Sequence, residues 1–133
     1  MRKFLKAVAL VAVLASPSHA QSNDIEATIA NQFEAFRAGD VEKAFSFAAP
    51  FLKDMFGNPQ QFGLMVRRGY PMVWEPGDVR FLELREVGAA SFQKVMITSA
   101  DGSIHFLEYR MDMGENGWVI SGVQILDAPD VSA

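Results

Sequence analysis

The sequence predicts an α+β domain in which N-terminal helices pack on a mostly antiparallel sheet, and three observations carry that expectation. Apolar residues recur at helical spacing between Ile25 and Val66, and the period changes to that of strands from Met72 onward. The dipeptides Asp101-Gly102 and Asn116-Gly117 then sit between strand-like runs as hairpin turns. Helices grouped before strands, rather than alternating with them, are the pattern of segregated α+β layers.

Arg2, Lys3 and Lys6 precede an apolar run from Ala7 to Ala15, and Ser18-His19-Ala20 puts small residues at the two positions a signal peptidase reads. Residues 1–20 therefore read as a signal peptide and residues 21–133 as one exported domain, periplasmic or secreted. No later stretch approaches the roughly 18 apolar residues of a membrane helix, so no integral membrane segment is expected once the leader is removed. The leader holds three of the 12 basic residues, which leaves nine against 16 acidic ones, or −7 with histidine neutral. That balance weighs against nucleic acid and against an anionic membrane surface as partner. There is no cysteine, and half of the residues are hydrophobic, so the exported chain relies on apolar burial rather than on disulfides. With His19 in the leader, His105 is the remaining histidine, which excludes a multi-histidine metal site within one subunit and implies neither metal nor cofactor.

Asn23 and Glu26 have the spacing of a capping box, which starts a first helix near Asp24. Ile25, Ile29, Phe33 and Phe36 form its buried stripe and Gly39 ends it. Asp40 caps a second helix with Phe45 and Ala48 or Ala49 on its apolar face, and Pro50 stops it. Phe51 to Phe56 makes a short helical turn ended by Gly57. Asn58-Pro59-Gln60-Gln61 opens another helix, which buries Phe62, Met65 and Val66, places Arg67 and Arg68 at the negative end of its dipole, and ends at Gly69.

Five strands are expected: Met72 to Glu75, Val79 to Val87, Ser91 to Ser99, Ser103 to Met113 and Trp118 to Leu126. Read as two-residue turns, Asp101-Gly102 pairs Thr98 with His105, Met96 with Leu107, Lys94 with Tyr109 and Phe92 with Met111. Asn116-Gly117 pairs Met113 with Ile120 and Tyr109 with Gln124. That register makes Phe92, Met96, Leu107, Met111, Met113, Trp118 and Ile120 the core face. It leaves Val95, Ile97, Phe106, Val123 and Ile125 as a half-apolar outer face suited to a homodimer contact. It also lines up Lys94, Tyr109 and Gln124, with Thr98 and His105 farther along, as a polar row on the core face. Either the row is a satisfied network at the rim, or it orients a ligand in an apolar pocket whose mouth Tyr70 and Trp74 line.

The Ala38-Gly39-Asp40 helix corner, QFEAFRAGDVEKAFSFAAP, Phe62 with Met65-Val66, Gly69-Tyr70-Pro71 and the terminal Trp118-Val-Ile-Ser-Gly-Val together resemble an uncharacterised family of exported bacterial domains. That family falls within the nuclear-transport-factor-2-like superfamily. The resemblance implies a cone of helices on a curved sheet with a pocket at its open end, and it carries no catalytic residues over. The same fold serves isomerases, dehydratases and non-catalytic carriers. Glu108 and Asp112 fall on the outer face in the derived register, so no hairpin carboxylate reaches the core side as a general base, although Glu83 and Asp54 are not placed by it. The expected function is an exported non-catalytic module that binds a small apolar or amphipathic ligand or self-associates through its sheet. A pocket enzyme using general acid-base chemistry is the alternative, and a purely structural dimer the third reading.

Overall fold

A computed structural model describes residues 18–127; the expected leader, as far as Pro17, lies outside the described residues. The first helix, α1 (His19–Arg37), begins five residues before the start that the Asn23 box implies. Its cap is Ser18, whose hydroxyl accepts from the Gln21 backbone N–H at 3.0 Å, so Asn23 is an interior helical residue. The Gln21 side-chain amide ties this first turn to the sheet by donating to Glu86 at 2.6 Å and to Ser91 at 3.3 Å. The other caps are those expected: Asp40 accepts from Lys43 N–H at 3.0 Å to start α2 (Val41–Ser46), and Asn58 accepts from Gln61 N–H at 2.8 Å to start α4 (Pro59–Gly69). Between them α3 (Pro50–Phe56) opens on Pro50 and stops at Gly57, whose φ of 85° suits glycine.

The segment expected as a first strand is instead α5 (Pro71–Trp74). Tyr70 does leave the helical region before proline, with φ −136° and ψ 60°. Pro71 then occupies a first helical position, and the Tyr70 carbonyl accepts from Val73 N–H at 2.8 Å and Trp74 N–H at 3.0 Å, which closes a helical turn.

Four strands follow, β1 (Asp78–Val87), β2 (Ala90–Thr98), β3 (Ile104–Gly114) and β4 (Gly117–Leu126), in one antiparallel meander of that order. Irregularities between Phe81 and Leu84 on β1 and at Ser121 on β4 interrupt the ladder, and bulges of this kind increase local twist and bend the sheet. The α2–α3 link closes on β4, with Ala49 N–H donating to Ile120 O at 2.8 Å and Ile120 N–H to Phe47 O at 2.9 Å.

The register differs from the expected one, and the turns explain why. Gly102 N–H donates to Ser99 O at 2.9 Å, Ser99 N–H to Ser103 O at 2.8 Å, and Gly102 has φ 90°. This is a three-residue loop, a type I turn followed by a left-handed glycine, rather than the two-residue turn. Every β2–β3 pair therefore slips by one: Gln93 faces Tyr109, Lys94 faces Glu108 and Val95 faces Leu107. A one-residue slip exchanges the faces of a strand, so Val95 and Ile97 lie in the core while Phe92, Lys94 and Met96 face out. The second turn joins Gly114 to Gly117 around Glu115-Asn116, two steps from the expected pairing, which keeps Met111 and Ile120 inward. Ser121 then turns Val123 inward and Gln124 outward.

The stripe of α1 closes this inner face: Ile25, Ile29, Phe33 and Phe36 are buried with Val95, Ile97, Leu107, Tyr109, Met111 and Ile120. Met113, expected there, lies 61% exposed near the hairpin tip. Of the five residues expected on a dimer face, Val95 and Ile97 are fully buried, Val123 packs toward the core, and Ile125 sits on the Leu107 side, so that of these five only Phe106 lies on the outer face, between Met96 and Leu126. That outer face carries ion pairs beside Phe92, Met96 and Phe106. Arg85 pairs with Glu108 at 3.1 Å, Lys94 with Glu83 at 3.2 Å and Arg110 with Asp112 at 3.1 Å, and the Arg85 guanidinium lies 4.6 Å from the Phe92 ring centre.

Candidate functional site

The polar row expected from sequence does not form. Lys94 and Gln124 flank Glu108 on the outer face, and Thr98 sits opposite Ile104 on that same face, at the edge. His105 pairs with Ile97 near the start of β3 and is partly exposed. Of the row, His105 and Tyr109 keep the inner face, and of these Tyr109 is the one that is completely buried. Of the two aromatics expected at the mouth, Tyr70 lines the cavity described next, whereas Trp74 packs behind it, its ring 5.8 Å from that of Phe36.

Between the helices and the sheet lies a cavity of about 270 Å³. Phe36 of α1, Ala48 and Leu52 around the α2–α3 link, Phe62, Met65 and Val66 of α4, and Ile120 and Val123 of β4 give it an apolar wall. Its polar side chains are Gln32, Tyr70 and Tyr109. Gln32 is buried, and its Nε2 donates to Ala44 O at 3.1 Å. The Tyr70 hydroxyl donates to Val123 O at 3.2 Å. The Tyr109 hydroxyl is buried with no hydrogen-bond partner among the described residues. Burial, and then the neighbouring Tyr70, push its pKa well above the usual tyrosine value, so it stays a protonated donor. The Phe33 ring, edge-on at 6.0 Å, fixes one side of the Tyr109 ring.

Gln32 is absent from the residues singled out in the sequence, although a signal for it exists there. Ile25, Ile29, Gln32 and Phe36 follow spacings of four, three and four, so an amide on the buried stripe of α1 is legible as a polar group aimed inward. Gln93 is the other buried amide of this face. Its Nε2 donates to Leu82 O at 3.0 Å, at the β1 irregularity, and to Lys94 O at 2.9 Å on its own strand; its Oε1 has no partner among the described residues, and it lies outside the cavity wall.

A larger groove, about 1240 Å³, runs between α1, the α2–α3 link and the β3–β4 hairpin, with Phe47, Phe51 and Trp118 along it. It is open to solvent, and its Arg110, Asp112 and Ser121 side chains are already paired with one another. The Asp112 carboxylate accepts from the Ser121 hydroxyl and from Arg110 Nε, and is held below the usual carboxylate range first by the Ser121 hydrogen bond. The smaller cavity, with an unpaired donor in an apolar wall, has the form of a small-molecule site. Among the described residues no group of three or more His, Cys, Asp or Glu could hold a metal ion, and no helix is long and apolar enough to cross a membrane.

A family model described as "Domain of unknown function (DUF4864)" matches residues 18–133. No curated protein matches the chain. Among solved structures, Aln2 from a Streptomyces species is 13% identical with a TM-score of 0.52, the match covering 83% of this chain and 92% of that one. An NTF-2 like protein of unknown function from Burkholderia xenovorans is 14% identical with a TM-score of 0.47, covering 83% of this chain and 91% of that one. The likeness to Aln2 shows a shared α+β fold, helices followed by a four-stranded antiparallel sheet.

Proposed function

The chain belongs to the family described as a domain of unknown function, and from that premise we propose that it is an exported, non-catalytic module that holds a small apolar or amphipathic molecule between its helices and its sheet. The observation that carries this reading is the Tyr109 hydroxyl, fully buried and without a partner among the described residues, on the wall of an apolar cavity. A hydroxyl taken out of water without a hydrogen bond costs folding free energy, so its retention fits a site where something else accepts from it. Binding is favoured over catalysis by the cavity wall, which carries no carboxylate, histidine or lysine among the described residues. General acid-base chemistry needs a group that exchanges protons near the working pH, and Tyr109 is pushed the wrong way for that role.

Export rests on the leader. Cleavage after Ala20 leaves Gln21 first in the chain, with the side chain that contacts Glu86 and Ser91. Intact mass of protein recovered from the cell envelope is expected to place the N-terminus at or near Gln21, and an uncleaved chain in the inner membrane would refute the leader. Native mass spectrometry of the same material tests the binding reading. One retained small molecule per chain is expected; protein with no added mass, which no compound in a screen of lipids, sterols and aromatic acids stabilises, refutes it.

A further inference from the structure

We infer that the molecule held in this cavity is uncharged, of the size of one ring with a short substituent, and that it accepts the Tyr109 hydroxyl hydrogen on an oxygen of its own. The inference rests on the binding reading above and adds to it the size, charge and head group of the ligand.

Size follows from volume. A dry apolar cavity of about 150 Å³ is enough for benzene, and drug-sized sites begin near roughly 300 Å³. The 270 Å³ here lies between, room for a ring and a few further atoms. Charge follows from the wall. Its polar side chains among the described residues are one amide and two phenols, so an entering ion leaves water without meeting an opposite charge there. One hydrogen bond from a neutral phenol, even charge-assisted, does not offset that desolvation.

The head group follows from what each polar atom already does. Tyr70 spends its hydroxyl hydrogen on Val123 O, and Gln32 spends an amide hydrogen on Ala44 O. Tyr109 has spent nothing, and its ring is held by Phe33, so the position of the hydroxyl oxygen is set before a ligand arrives. The phenol keeps its hydrogen and has no acceptor for it among the described residues, so the ligand that satisfies it brings the acceptor.

Three probes of matched shape test this on the full exported chain: acetophenone, neutral with an acceptor; ethylbenzene, neutral without one; and benzoate, charged. Binding is read from the methyl resonance of Met65, a residue of the cavity wall, during titration. Acetophenone is expected to bind saturably and roughly three- to tenfold more tightly than ethylbenzene, the range one neutral hydrogen bond supplies. Benzoate is expected to leave the resonance unmoved at the same concentration. Tyr109→Phe should erase the preference for acetophenone and leave ethylbenzene affinity as it was. If wild type binds acetophenone and ethylbenzene equally, the cavity binds ligands but the head-group inference is overturned. Tighter binding of benzoate overturns the charge inference in the same way. Failure of all three to move Met65 overturns the binding reading itself and this inference with it.

Discussion

Tyr109→Phe in ligand-free protein should stabilise the fold. The substitution deletes one oxygen and keeps the ring that meets Phe33 edge-on at 6.0 Å. In the wild type that oxygen is fully buried and bonded to nothing among the described residues, so folding strips it of water without return. A buried unsatisfied polar group costs about 1–3 kcal/mol. The expected gain is taken at the lower end of that range, about 1 kcal/mol. For a domain of this length that raises Tm by roughly 4 °C. The measurement is urea unfolding of protein refolded from denaturant, a step that removes any bound molecule, with the midpoint moving and the slope unchanged. A ligand at about 100 times its wild-type Kd adds about 2.7 kcal/mol to the wild type and, held three- to tenfold more weakly, about 2.1 to 1.4 kcal/mol to the variant, so the advantage of the variant should shrink to within about 0.4 kcal/mol of zero on saturation. A ligand-free variant less stable than wild type by more than about 0.5 kcal/mol would show that the hydroxyl has a partner inside the chain, and the argument for the site would fall.

Gly77→Ala should destabilise by roughly 3 kcal/mol or more in the same assay, because the added Cβ would stand 2.1 Å from the backbone oxygen of Thr98; Gly69→Ala, which meets nothing within 4 Å, should change stability by no more than about 1 kcal/mol. Asp112→Asn tests the outer hairpin. The Ser121 hydroxyl, and after it Arg110, lower the Asp112 pKa in the fold, so its contribution is present above the unfolded value and disappears as pH falls through the folded one. The stability gap between wild type and Asp112→Asn should therefore narrow as pH falls below about 4, and a gap unchanged from about pH 7 to about pH 3 contradicts the pairing. Lys94→Met should change stability by less than about 1 kcal/mol, since its partner Glu83 is 69% exposed, and acetophenone binding should not change, because the side chain lies on the sheet face away from the cavity. A large loss of binding in this variant would restore the polar row.

What the sequence shows well is local. Asp40, Gly57 and Asn58 act within a few residues of themselves, and each stands where its cap chemistry requires. The helix at Pro71 is read as a strand because a proline that forces its predecessor out of a helix is also well suited to begin one. The β2 register goes astray at a single turn, where Gly102 supplies the left-handed residue of a three-residue loop and not the second residue of a shorter one. A discriminating signal is present in β2 itself. One parity buries Ser91, Gln93, Val95 and Ile97; the other buries Phe92, Lys94 and Met96. The second sinks an ammonium group in the core, and an amide that can donate to carbonyls of β1 and of its own strand is far cheaper to bury.

The site is legible to the same limited extent. Tyr109 falls on the inner face in either register because β3 has one consistent apolar parity, Leu107 and Met111 on either side of it, which neither turn disturbs. What the sequence does not convey is that the hydroxyl stands alone. The expected register gives it Lys94 on one side and Gln124 on the other, a network that would satisfy it and make the position structural. Those two side chains leave for the opposite face through independent devices, the left-handed glycine at 102 and the extra residue at 121. A buried tyrosine with partners is ordinary core; the same tyrosine deprived of both is a donor waiting on a cavity. The functional signal is thus carried by two backbone irregularities, one in a turn and one within a strand, neither of which supplies a polar group to the cavity, and only the assembled sheet brings their consequences to one atom.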